Sequence, residues 1–98
     1  MHMQLPRLPI VWSAEKNELL KQKREISFDE VLVALQQNQI LTVEPHPSKK
    51  KYPGQFRIII VIRRYVYSVP FVIDRERGHL FLKTIIPSRA LTKKYLQT

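Results

Sequence analysis

Residues 56–62, Phe-Arg-Ile-Ile-Ile-Val-Ile, form a run in which only Arg57 is polar. A strand with one wet face alternates apolar and polar side chains. A run that is apolar on both faces must be covered on both sides. The chain therefore needs a central strand with protein above and below it. Arg57 falls on the opposite strand face from Phe56 and Ile58. The unbroken apolar stretch, 58–62, is far short of the roughly 20 residues that a membrane span requires.

The flanking segments supply the layers. Residues 8–12 suit a short edge strand, because Pro6 and Pro9 fit an edge better than a sheet centre. Ser13 caps a polar helix over 14–24, with Glu15 matching the helix dipole and only Leu19 and Leu20 as large aliphatics. Ser27-Phe28-Asp29-Glu30 is a capping box, with Ile26 and Val31 in staple positions. Phe28, Val31, Leu32 and Leu35 then recur at the spacing of a buried helix face, and the helix should end within 36–39.

Strands follow at 40–44, 56–62, 65–73 and 79–86. The loop at 45–54 holds three prolines and a glycine, which forbid regular structure. Arg63-Arg64 must serve as a hairpin turn, although such turns favour Asn-Gly or Asp-Gly. Pro70 marks either an edge strand or a bulge. The 98 residues read as one α+β domain, 1–98. Two N-terminal helices pack on a mainly antiparallel four- to five-stranded sheet, and a short C-terminal helix stands at the sheet's end.

The formal net charge is +9 and the isoelectric point is near 10.2. A surface of that sign attracts polyanions: nucleic acid, anionic lipid or an acidic protein. The absence of cysteine excludes disulfides, thiolate catalysis and cysteine-ligated zinc. No signal-peptide pattern opens the chain, so a soluble, cytoplasmic protein is expected. Met1-His2-Met3 reads as a cloning remnant followed by a native start at Met3.

The chemistry concentrates near the C-terminus. Residues 81–86 form an apolar strand that breaks at Pro87, and Ser88 caps a short basic helix. Arg89 in its first turn opposes the helix dipole by about 0.3–1 kcal/mol, and Lys93 adds like-charge repulsion. Both penalties reverse when an anion docks there. By alternation Lys83 shares a face with His79, Phe81 and Ile85. If the pleats match, Tyr67, Lys83 and Arg57 converge on the open sheet face with Arg89 at its rim, a cationic floor with an aromatic suited to single-stranded RNA. The alternative is that Tyr67 and Phe81 are core and the cations solvated.

Lys49-Lys50-Lys51 is either a solvated loop cluster or a tether that tracks phosphates. Neither His46 nor His79 joins a metal-binding set, and no paired carboxylates suit two-metal hydrolysis. No metal or other cofactor is expected. Cleavage of a phosphodiester would then use the RNA 2′-hydroxyl as internal nucleophile, with lysine and arginine stabilising charge and tyrosine, histidine or lysine moving protons.

Three blocks carry a resemblance: Ile10-Val11-Trp12-Ser13 with Lys16-Asn17, Ile26-Ser27-Phe28-Asp29-Glu30-Val31, and Lys83-Thr84-Ile85-Ile86-Pro87-Ser88-Arg89-Ala90 with Tyr95. In order and spacing, over about residues 10–96, they resemble the BrnT-type toxins of bacterial toxin–antitoxin systems. The resemblance implies a RelE-like fold, a ribonuclease that cleaves mRNA (on the ribosome or free) and so blocks translation, and a cognate antitoxin that neutralises it. It puts Lys83 at the family's basic position on the last strand, Arg89 at the arginine opening the terminal helix, and Arg57 near an arginine entering the central hairpin. Family members often carry Lys-His-Gly before the second helix. Here Lys23-Arg24-Glu25 stands there, with Arg24 in the histidine's place.

The expected catalytic set is Lys83, Arg89, Arg57 and Tyr67, with Lys23, Arg24, Lys49, Lys50, Lys51 and Lys93 contacting RNA. Two other readings fit the same charges: a non-catalytic nucleic-acid-binding module, and an interaction domain for an acidic partner protein. A membrane-surface role lacks the required helix, because neither early helix pairs a basic face with a wide apolar one.

Overall fold

Ser13 accepts the Lys16 N–H at 3.1 Å and starts α1, Ala14–Arg24, directly after strand β1, Ile10–Trp12. The computed structural model describes residues 4–97, so the reading of Met1-His2-Met3 lies outside the described residues. Glu15 in the first turn and Lys21, Lys23 and Arg24 in the last all favour the dipole. Only Asn17 and Leu20 of α1 are buried, so its own apolar stripe is too thin to hold it.

Asn17 supplies the missing support. Its Oδ1 accepts the Phe28 N–H at 2.7 Å, and its Nδ2 donates to Asp29 at 3.0 Å. It therefore helps cap α2, Phe28–Gln36, beside Ser27, which accepts the Glu30 N–H at 3.2 Å. The carboxylate of Glu30 turns to Arg63 instead of reaching back to Ser27. Phe28, Val31 and Ala34 are buried, and Trp12 stacks on Phe28 with ring centroids 5.6 Å apart.

The remaining elements are β2 (Ile40–Pro45), β3 (Phe56–Ile62), β4 (Tyr65–Asp74), β5 (His79–Leu82), β6 (Ile86–Pro87) and α3 (Arg89–Leu96). The sheet is mixed, in the order β1-β5-β4-β3-β2, with β6 also on β4; β1 runs parallel to β5 and the other pairs are antiparallel. Leu20, Ile26, Phe28 and Val31 pack on one face, against Ile58, Ile60, Val69 and Phe71. Ile58, Ile59 and Ile60 are all fully buried, which requires cover on both faces of β3, as its sequence demands.

The second cover involves α3, which packs against β4 instead of only standing at the sheet's end. The Thr92 hydroxyl accepts the Val66 N–H at 2.9 Å and donates to the Ser88 carbonyl at 2.7 Å. The Ser88 N–H donates to the Val66 carbonyl at 3.0 Å. Among the described residues no helix is long and apolar enough to cross a membrane.

Pro70 lies in a central strand, and the sheet accommodates it with a bulge. Phe71 pairs with Leu82 but Ser68 pairs with Ile86, so the register shifts by one and Lys83 and Thr84 together face Pro70. The proline has no N–H to give the ladder there; its carbonyl accepts the Lys83 N–H at 2.8 Å. The expected strand over 79–86 is thus broken into β5 and β6. Ile85 turns into the core with Leu82, instead of sharing a face with Lys83.

The β3–β4 turn is tight, as the pairing of Ile62 with Tyr65 requires. Arg63 and Arg64 both adopt left-handed backbone, with φ of 51° and 63°. That is the geometry for which Asn-Gly is favoured, and each non-glycine residue there costs about 1–2 kcal/mol. Arg63 is tied down by Glu30 and by the Glu25 carbonyl, the latter at 2.8 Å. Among the described residues the Arg64 side chain has no partner.

Candidate functional site

The hairpin register fixes which side chains can meet. Arg57 pairs with Pro70, and the Lys83 N–H binds Pro70 from the other side. Glu44, Arg57, Pro70 and Lys83 therefore form one row across the sheet, with Lys83 two strands from Arg57, about 10 Å at Cα. This row opens on the face away from α1 and α2. A cleft of about 270 Å³ lies there between the sheet and the start of α3, lined by Arg57, His46, Ser68, Pro70, Ser88 and Leu91 among others.

Arg57 enters the cleft already oriented. Its Nε and Nη2 donate to Glu44 Oε1 at 2.8 and 2.5 Å, and both side chains are half-buried. Its other guanidinium N–H groups remain available to an anion. His46 stands across from it, braced by Tyr52 with ring centroids 4.4 Å apart. The Ser48 N–H donates to His46 Nδ1 at 3.1 Å, so the neutral ring carries its proton on Nε2 and offers a donor to the cleft, not a base. Ser88 accepts the Leu91 N–H at 3.1 Å and starts α3, whose first turn has no acidic residue.

Lys83 and Arg89 are exposed and their side chains have no partner among the described residues, yet neither lines the cleft. They flank it. Tyr67 does not converge with Arg57. It pairs with Ile60 and packs against the core on the helix-covered face. Arg24, expected to contact RNA, is exposed, and its Nη1 donates to the Ile85 carbonyl at 2.8 Å, which clasps the strand beyond the bulge. Lys23 and Lys93 are exposed in the last turns of their helices, where a cation suits the dipole. Lys49, Lys50 and Lys51 are exposed on the turn-rich loop 46–55, with Lys51 Nζ 5.5 Å from the Tyr52 ring.

His79 lies at the other end of β5 from the bulge, 3.6 Å from Asp74. His46 is the residue that sequence reasoning set aside. Its signal was position: it follows Pro45 at the end of β2, and a short ladder closed by His46 N–H on the Gln55 carbonyl at 2.9 Å holds it over the sheet. Lys21 has its ammonium pKa raised by the hydrogen bond it donates to Glu18 and by that carboxylate's charge, on the exposed side of α1 and outside the cleft. No family model matches the chain, and no curated protein or solved structure matches it either.

Proposed function

We propose that this chain is the toxin of a bacterial toxin–antitoxin pair, with a RelE-like fold, and that it cleaves mRNA in the cytoplasm without a metal. The observation that carries the proposal is the cleft at the start of α3, where Glu44 orients Arg57 with further N–H donors left over, with the exposed Lys83 in the same sheet row and the exposed Arg89 directly after the lining residue Ser88. In this reading Arg57 and His46 Nε2 hold the scissile phosphate. Lys83 and Arg89 stabilise the charge that develops on it. The 2′-hydroxyl gives its proton to solvent as its oxygen attacks phosphorus, the bond to the 5′-oxygen breaks, and that oxygen takes a proton from solvent, leaving a 2′,3′-cyclic phosphate and a 5′-hydroxyl. DNA lacks the nucleophile and is not cut. The net charge of +9 suits both RNA and an acidic antitoxin.

Induced expression with RNA end-mapping tests this. Growth should stop and new 5′-hydroxyl ends should appear. Arg57→Ala, Lys83→Ala and Arg89→Ala should each abolish both effects while folding normally. Intact cellular RNA with unchanged growth sinks the proposal.

A second reading has its own support. Among the described residues no side chain in the cleft is placed as a general base: His46 Nδ1 is occupied by a backbone N–H and Tyr67 is on the other face. A protein that binds RNA without cutting it fits that arrangement. Salt-sensitive binding with no product on a denaturing gel selects this reading over the first.

A further inference from the structure

The turn at 63–64 keeps a strained conformation that glycine or asparagine would relieve, and packing explains only half of it. Arg63 earns its place through Glu30 and the Glu25 carbonyl. Arg64, at φ 63°, is exposed and its side chain touches no partner among the described residues. Immediately after it come Tyr65 and Tyr67, with ring centroids 5.8 Å apart at 65°. Both lie on the helix-covered face, since they pair with the buried Ile62 and Ile60, yet both remain partly exposed. Tyr67 pairs with Pro87 on β6, and two residues before Pro87 the Ile85 carbonyl holds Arg24 by a single Nη1 hydrogen bond. Among the described residues the other N–H groups of Arg24 have no partner.

We propose that Tyr65 and Tyr67, between Arg64 at the hairpin tip and Arg24 at the end of α1, form a base-stacking platform for single-stranded RNA. The inference rests on the RNA-directed reading above and adds a second site, on the sheet face opposite the cleft. Bases stack on the exposed tyrosine faces, which accept any base because every base has a π-face. Arg64 and Arg24 meet the phosphates on either side. β6 borders β4 there, and its Ile86 and Pro87 are exposed. A flexible single strand can pass over that edge from platform to cleft. A duplex, stiff over about 150 base pairs, cannot make the turn.

The test uses two probes on the full chain. One is a 2′-O-methyl oligouridine of about 12 nucleotides, which has bases but lacks the internal nucleophile and stays intact. The other is inorganic polyphosphate, which has charge but no bases. Tyr65→Ala should weaken oligouridine binding about 5- to 100-fold and leave polyphosphate binding unchanged. Tyr65→Leu, which keeps the half-buried volume, should show the same loss, and Tyr65→Phe should bind like the parent. Arg64→Gln should weaken both probes. If the parent binds oligouridine and both Tyr65→Ala and Tyr65→Leu bind it equally well, the platform is wrong and the RNA-directed reading stands. Equal losses for both probes in Tyr65→Leu also overturn the platform. A parent that binds neither probe overturns the platform and the RNA-directed reading together.

Discussion

Asn17 does at one position what neither early helix does alone. Its amide is buried, and its two ends join the α1 backbone position to the first N–H of α2 and to Asp29. Truncation strands a buried backbone donor, which costs about 1–3 kcal/mol. Asn17→Ala should therefore lower the unfolding free energy by that amount, read as a lower urea midpoint with little change in slope, and Asn17→Asp should lower it at least as much at neutral pH, because it sets a second carboxylate against Asp29 where Nδ2 now donates. Glu44 poses the opposite case. It orients Arg57 but also cancels part of its charge at the cleft. Glu44→Gln keeps an acceptor for the guanidinium and removes the anion. RNA affinity measured by fluorescence anisotropy should then rise about three- to tenfold at low salt. A fall would mean that the carboxylate's grip on Arg57 matters more than its charge.

Among the elements, the β3–β4 hairpin is where the proposed platform and the stability of the fold pull apart. Arg64→Gly removes the left-handed penalty while leaving Arg63 and its ties to Glu30 and Glu25 in place. Against glycine's greater unfolded-state freedom, the net gain should be about 1 kcal/mol in urea unfolding. RNA binding should fall in the same variant, so stability and affinity move apart. The same hairpin explains what sequence could and could not reveal. The patterns behind α1, α2 and β3 are local, and their bounds were legible from caps and apolar spacing. The two-residue turn was legible too, and it already implies that Ile60 faces Tyr67 and that Arg57 faces Pro70. Carried through, that register separates Tyr67 from Arg57 without any coordinates. The bulge at Lys83 and Thr84 was half legible: Pro70 signalled a defect but not which strand would absorb it. The parallel pairing of Ile10 with Leu80 and the clasp of Arg24 on the Ile85 carbonyl were not legible, because each joins distant segments through contacts that no local pattern encodes.

At the scale of the whole molecule, the proposed RNA binding is a matter of charge, and salt dependence would measure how many cations take part. The two proposed sites together place five unspent or partly spent cations along one path: Arg64, Arg24, Lys83, Arg89 and Arg57. Each phosphate neutralised on a single strand contributes about 0.7 to the slope of log affinity against log salt. Five contacts give a slope near −3.5, so affinity should fall about 100-fold between 50 and 200 mM salt. The exposed lysines 49–51, on a loop beside the cleft, would steepen it if they also track the strand. Net charge alone does not distinguish these positions, but the slope does. Replacing Lys83 or Arg64 by glutamine should each reduce it by about 0.7, and replacing Lys21, which is committed to Glu18, should leave it unchanged. If every lysine on the surface lowers the slope equally, binding is a diffuse attraction to a cationic particle, and the path from platform to cleft does not exist.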